Sequence, residues 1–300
     1  MLHIRGILLL VATAGSGPAV AADNITPAEM PAEPLRVPVE ALAAAPVVDG
    51  DLGDWSGDGW ITVTVHPAVR DDADNRLGTI DVLLRAGVHQ GRFYLAARWP
   101  DRRADAVYKP WEWRGDRYRR GKRLDDMFAA RFDLAGDYHS CMIADATYQV
   151  DLWLWSAGRS NPAGYADDLM QAITTRFTEN AAEYTGPGGK TVYIRKKRDA
   201  GTPAYTNTRP DRRTFQGDKL PGVAWKSPPT GSAADILAQG VWADGHWQLE
   251  MSRALVTGHE DDAELPLGAL RVGAVAVFDR NSSEHKSVSG DLHYDFSALR

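Results

Sequence analysis

Between Asp151 and Asp168 the chain reads "DLWLWSAGRSNPAGYADD", a short stretch with two tryptophans, an arginine, a Pro-Ala-Gly-Tyr turn and acids at both ends. Indoles at Trp153 and Trp155 can stack on a sugar, wall a flat cofactor or pack a core, because a large apolar plane with one N–H suits all three. Trp111 and Trp113 in "PWEW" repeat the spacing. Arg159 carries a planar fork that fits a carboxylate, either on a ligand or on a neighbouring loop. Gly164 allows close backbone approach in the turn, and Tyr165 follows it at the rim.

Other reactive residues narrow the chemistry. The single cysteine, Cys141, excludes an internal disulfide, a multi-cysteine zinc site and an iron–sulfur cluster held by four thiolates of this chain. It can serve as a thiolate ligand or as a small buried hydrophobe. No CxxCH occurs, so covalent haem attachment is not expected, and no GxSxG marks a nucleophile elbow. The acid pairs Asp125-Asp126, Asp167-Asp168 and Asp261-Asp262 have glycosidase composition. Adjacent residues diverge along a strand, however, so solvated or weakly calcium-binding acidic loops explain them as well.

These residues need a scaffold, and the chain declares one in steps. Residues 1–21 have the form of a secretory signal, with Arg5, an apolar "ILLLVA" run and small residues at Ala19 and Ala21. A membrane anchor needs about 20 apolar residues, whereas this run is broken by Gly15, Gly17 and Pro18. Export to the periplasm or beyond is therefore expected, with no membrane span left after cleavage. The 40 Asp and Glu already exceed the 34 Lys and Arg, which disfavours general nucleic-acid binding. The basic run "RGDRYRRGKR" from Arg114 to Arg123 is a local exception and reads as a balanced, solvated loop.

Residues 22–46 are rich in Ala, Pro and Glu and read as a linker, leaving 47–300 as one domain. Alternation dominates there. In "TIDVLLRAGVHQGRFYLAARW" two alternating runs flank a turn, and "QGVWADGHWQLEM" repeats the design around Asp244-Gly245. The one helix-like run, "DDLMQAITTRF", is short and poorly patterned. The expectation is an all-β fold, an antiparallel β-sandwich with little helix and long loops over roughly 100–124 and 185–229.

Taken in order, "VVDGDLGDW", "FYLAARWPD", "PWEW", "LDDMFAARF", "CMIADATYQVDLWLWSAGRSNPAGYADD", "DILAQGVWADGHWQLEMSRAL" and "AVAVFDRNSSEHKSVS" resemble the haem-binding domain of the ethylbenzene dehydrogenase gamma-subunit type. The likeness runs from Val47 to Phe296. It implies a β-sandwich holding one non-covalent b-type haem and passing electrons in the periplasm. The implied partner is a redox protein, with the chain acting as a subunit of a molybdenum enzyme or as a related cytochrome. On this reading Trp153, Trp155, Trp111 and Trp113 line an apolar slot, Arg159 pairs with a haem propionate, and the turn at Tyr165 closes the rim.

The resemblance also implies a methionine and a lysine as axial ligands. Lys286 in "EHKSVS" matches the lysine. Neutralising a lysine at pH 7 from a pKa near 10.4 costs about 4.6 kcal/mol, which iron binding and burial must offset. Met142 in "SCMIAD" is the preferred methionine, and Met127, which alternation sets on one face with Ala129 and Arg131, is the alternate. His139 and His285 stand as substitutes, although His285 cannot share a face with Lys286. Arg131 and the basic stretch Arg195–Arg213 depart from what the resemblance leads one to expect, and the stretch could serve as a docking surface for a redox partner. The competing reading is a non-redox carbohydrate- or ligand-binding sandwich module that grips sugar on a tryptophan platform.

Overall fold

The computed structural model describes residues 33–69, 75–186, 189–226, 228–281 and 287–300. Among them, the N-terminal third forms β1 (Leu35–Ala41), β2 (Ile61–Pro67), β3 (Ile80–His89) and β4 (Arg92–Pro100). The middle forms β5 (Trp111–Trp113), β6 (Tyr118–Arg120), β7 (Met127–Gly136), β8 (Tyr148–Ser156), β9 (Asp167–Thr174), β10 (Ala182–Thr185) and β11 (Thr191–Arg198). The remainder forms β12 (Tyr205–Asn207), β13 (Lys219–Leu220), β14 (Val223–Trp225), β15 (Leu237–Ala243), β16 (His246–Ala254), β17 (Leu270–Phe278), β18 (Ser287–Val288) and β19 (Leu292–Asp295). Helical structure is limited to short 3₁₀ turns such as Leu52–Trp55 and Asn161–Ala163. No helix among the described residues is long and apolar enough to cross a membrane.

The fold is all-β, as the alternation predicts. One layer runs β2-β3-β4-β16-β15 and the other β10-β11-β9-β8-β7-β17, with β18 pairing β2 to join them along one edge. Strand β1 closes the same seam. Its first half pairs in parallel with β19 and its second half with β3. Between the layers lie Val82, Leu84, Leu95, Trp99, Trp247 and Leu249 from one side and Phe128, Phe132, Trp153, Trp155 and Val275 from the other.

Turn chemistry fixes the hairpins. Asp244 and Gly245 both take positive φ, 49° and 76°, which a primed two-residue turn requires and which matches the twist of its strands. Trp247, Leu249 and Met251 then all face the core.

Three expectations need correction. Leu35–Ala41, inside the expected linker, is a strand because Val37 and Val39 alternate into the core while Pro38 and Glu40 take the less buried positions between and after them. The helix-like run is mostly β9, since Leu169, Gln171 and Ile173 are buried on one face at period two and β8 and β11 flank it. The two long loops are not structureless. The first holds the β5–β6 hairpin, the second contains β11, and β13 pairs with β5, tying the two together.

Near the end of β4 a buried acid group shapes the pH response. Asp126 accepts hydrogen bonds from the Asp105 and Arg280 amides and from Trp247 Nε1, yet burial, reinforced by the Asp101 charge, pushes it up to about 8. Burial likewise raises Asp101 to about 6, with Asp279 and Asp105 adding repulsion against Arg103. Both groups favour the neutral form more in the folded than in the unfolded chain. Their contribution to stability is therefore full below about pH 4 and is lost as pH rises through 6 to 8. Thermal melts should show a lower midpoint at pH 8.5 than at pH 5 (~1–2 kcal/mol per raised group), and Asp101→Asn should flatten the lower part of that fall.

Candidate functional site

An antiparallel layer packed on one face normally wets the other, but this sandwich buries apolar groups on both faces of its second layer. Alternation along β8 sends Trp153 and Trp155 inward and Leu152 and Leu154 outward. Their outward neighbours are Met127, Ala129 and Arg131 of β7, Leu169 and Gln171 of β9, and Ala276 and Phe278 of β17. Ala129 lies directly opposite Leu154 on one side and Ala276 on the other. Two small side chains thus form a floor between larger neighbours.

A cleft results on this outer face. Ala68 and Val288 close one end, and the segment from Tyr138 to Ala146 packs over the Val150–Ile173–Ile194 cluster beside it. Its enclosed space is about 40 Å³, well under the roughly 300–1,000 Å³ of small-molecule sites, so it is a narrow apolar slot rather than a preformed cofactor pocket. Half-buried Met142 lines the wall, and its Sδ accepts a hydrogen bond from Gln171 Nε2 at 3.1 Å. Gln171 is fully buried, and among the described residues its Oε1 has no hydrogen-bond partner.

Arg131 also lines this cleft. Its Nη2 donates to the carbonyls of Ser140 and His139, which pins the covering segment onto the sheet. The guanidinium sits 5.9 Å from the Tyr138 ring, while Nη1 is buried with no hydrogen-bond partner. Burial pushes the Cys141 thiol up, which disfavours its use as a thiolate ligand.

The predicted site residues therefore separate into groups. Met142 is in the cleft wall. Met127 shares the outer face with Ala129 and Arg131, as alternation predicts, but packs in the adjoining cluster with Leu169 and Phe278, its sulfur against Arg159 Nη2. His139 lies beside the cleft with its side chain 47% exposed, and is not in the lining. Lys286 and His285 lie outside the described residues. On either side of them in the chain, Phe278 and Val288 line the cleft.

Trp153 and Trp155 lie elsewhere than the resemblance implied. Both face the inner core and are fully buried, so neither walls the cleft nor offers a platform to a sugar. The physical reason is parity: in a strand covered on both sides, either set of alternating residues can be core, and here the larger set fills the space between the layers. Trp111 is held between Arg120 and Arg212, each 5.2 Å from its ring, and Trp113 packs on Tyr118 and Phe215. Tyr165 joins a separate cluster with Tyr108, Tyr205 and Val223.

Much of the tryptophan-rich motif is structural. Asn161 Oδ1 accepts from Trp155 Nε1 at 2.8 Å and from the Gly240 amide at 2.7 Å, while its Nδ2 donates to the Gly240 carbonyl. That clamp ties the turn after β8 to β15. Arg159 ion-pairs with buried Asp125 at 3.1 Å and lies 4.5 Å from the Tyr108 ring. Gln171, Ala129 and Ala276 escaped sequence reading, although the small residues of "FAARF" and "GAVAVF" are the visible trace of the floor.

Residues 53–289 match the family described as ethylbenzene dehydrogenase. No curated protein matches the chain. Among solved structures, it is similar to a family 9 carbohydrate-binding module from Caldicellulosiruptor kristjanssonii in complex with glucose. The two share 11% identity over 87% of this chain and 95% of that one, with a TM-score of 0.36.

Two substitutions test the structural roles. Asn161→Ala leaves Trp155 Nε1 buried without an acceptor and should cost about 2–3 kcal/mol in urea unfolding. Arg159→Met strands Asp125 as an unpaired buried charge and should cost about 3–5 kcal/mol, with partial recovery in Asp125→Asn/Arg159→Met.

Proposed function

The chain belongs to the ethylbenzene dehydrogenase family, and on that premise we propose that it is a periplasmic b-type haem-binding electron-transfer protein or subunit. It resembles the gamma subunit of that enzyme, and its expected partner is a redox protein, including a molybdenum-enzyme complex. The observation that carries this reading is the outer-face cleft, an apolar slot with a small-residue floor, a thioether in its wall and two unpartnered buried polar atoms, Arg131 Nη1 and Gln171 Oε1.

The donor set suits such a cofactor. When bound, haem supplies reversible one-electron exchange at its iron. Ala129 and Ala276 put small side chains on the floor and Leu152, Leu154 and Phe278 make the lining apolar, while a haem would need the slot to widen. Met142, whose sulfur accepts from the Gln171 amide, would offer the iron a soft donor. Arg131 Nη1 offers a charged hydrogen-bond donor for an acidic group on the ligand. Lys286, two positions before Val288, is the proposed second axial donor and must lose its proton to serve.

Absorption spectra of the protein isolated from periplasm, or reconstituted with haemin, test the proposal. The wild type should show a Soret band and sharp reduced α and β bands. Met142→Ala and Lys286→Ala should each alter or abolish them, whereas Met127→Ala should retain them. Ala276→Trp should fill the floor and lose haem while the far-UV circular dichroism stays unchanged. A folded wild type that takes up no haem overturns the proposal, and tryptophan fluorescence that shifts on adding glycans would put the sugar-binding reading in its place.

A further inference from the structure

The acids at the two ends of the tryptophan-rich motif meet in space, on the far side of the sheet from the cleft. Asp151 of β8 and Asp168 of β9 are sequence neighbours of the outward Leu152 and Leu169, so alternation turns them to the inner side, where Asp151 meets Arg253. They are 0% and 2% exposed. Asp262, from the segment after β16, and Asp199, just after β11, join them and are also buried. Ligand oxygens of Asp151, Asp168 and Asp262 all lie within 4.8 Å of one another, as do those of Asp199, Asp261 and Asp262. Asp262 is common to both groups.

Local cations do not balance this charge. Buried Arg253 donates Nη1 to Asp151 Oδ2 and lies 3.4 Å from Asp262 Oδ1, and its Nη2 is turned to the Ala263 carbonyl. The Ala263 amide also donates to Asp151 Oδ2. At the rim, His259 is committed to Asp235 at 2.8 Å and reaches Asp262 only at 3.6 Å. Among the described residues, no hydrogen-bond donor reaches Asp151 Oδ1 or either oxygen of Asp168, Asp199 and Asp262. Asp168 is the telling member, because among the described residues this deeply buried side chain has both oxygens unpartnered, with the Asp151, Asp262 and Asp199 carboxylates around it.

Buried carboxylates facing one another need something positive between them, since each unpaired buried charge costs several kcal/mol. We infer that Asp151, Asp168, Asp199 and Asp262 form a site for one divalent cation of the calcium type, separate from the cleft and independent of what the cleft holds. The donors select the metal. All are hard oxygens, neither thiol nor imidazole lies among the four carboxylates, and carboxylates that bind through one or both oxygens suit the oxygen-rich shell of calcium. Magnesium keeps several waters in an octahedral shell, which so enclosed a set of carboxylates does not suit. A bound ion would tie the segment after β16 and the end of β11 to β8 and β9.

Terbium luminescence provides the test, because Trp153, whose ring lies 4.9 Å from Arg253 Cζ, is placed to sensitise a lanthanide at this site. The full chain, stripped with EDTA and exchanged into metal-free buffer at neutral pH, should show saturable tryptophan-excited terbium emission that calcium displaces. It should bind one calcium per chain by calorimetry and melt at a higher temperature with calcium than with EDTA. Asp168→Asn and Asp262→Asn should weaken binding about tenfold or more, while Asp145→Asn, at an exposed pair with Lys190, should leave it unchanged. Should a buried variant fail to fold, Asp199→Asn and the wild-type titration still decide the matter. A folded wild type with no saturable calcium or terbium binding overturns the site, as does binding that all three cluster variants leave intact. A cluster held by shared protons gives the first of these results.

Discussion

The arrangement depends on one constraint, a β-layer with no wet face. Strand β8 is buried along nearly its whole length, and each step along it changes which compartment the side chain enters. Leu152 and Leu154 belong to the outer cleft, Trp153 and Trp155 to the space between the layers, and Asp151 to the acid cluster behind. A slip of one residue would exchange all three at once, so the register of β8 against β7 and β9 has to be strongly specified. The paired bulky indoles supply that specification on one side. On the other, the alanine floor could not accommodate them.

Fold class was open to reading because its signals are local. Primed-turn dipeptides such as Asp244-Gly245 and period-two runs announce hairpins without help from distant residues. Strand β1 was hidden because composition around Val37 and Val39 is dominated by Ala, Pro and Glu, and its partners, β3 and β19, are remote in sequence. The run "DDLMQAITTRF" defeats a periodicity argument for a related reason. A strand buried on both faces need not show clean alternation, so Leu169, Gln171 and Ile173 become informative only once β8 and β11 flank them.

The same logic governs the site. Met142 is the methionine that the resemblance implies and it lines the cleft, but which tryptophans face the cleft cannot be read from the sequence, since parity alone gives two sets of side chains and no label for them. Arg131 is the instructive case. In sequence it is an awkward charge in an apolar strand, whereas in the structure its guanidinium fastens the Tyr138–Ala146 segment across the sheet beside the cleft. Gln171 has a similar double duty, holding the methionine sulfur with one end of its amide and leaving the other free. Such roles are set by long-range contacts that spacing cannot encode. The basic stretch likewise resolves into the exposed end of β11 and a lobe folded over Trp111, a shape that a count of arginines gives no hint of.

The seam formed by β1 carries a consequence for how the molecule is assembled. Leu35 is paired with Leu292, so almost the entire length of polypeptide separates two neighbours that touch. Ribosomal synthesis delivers the first of them long before the second exists. The first half of that strand must therefore wait for β19, while its second half can pair early with β3. Until then Val37 lacks its final cover between the layers, which leaves the newborn chain more sticky than the finished one.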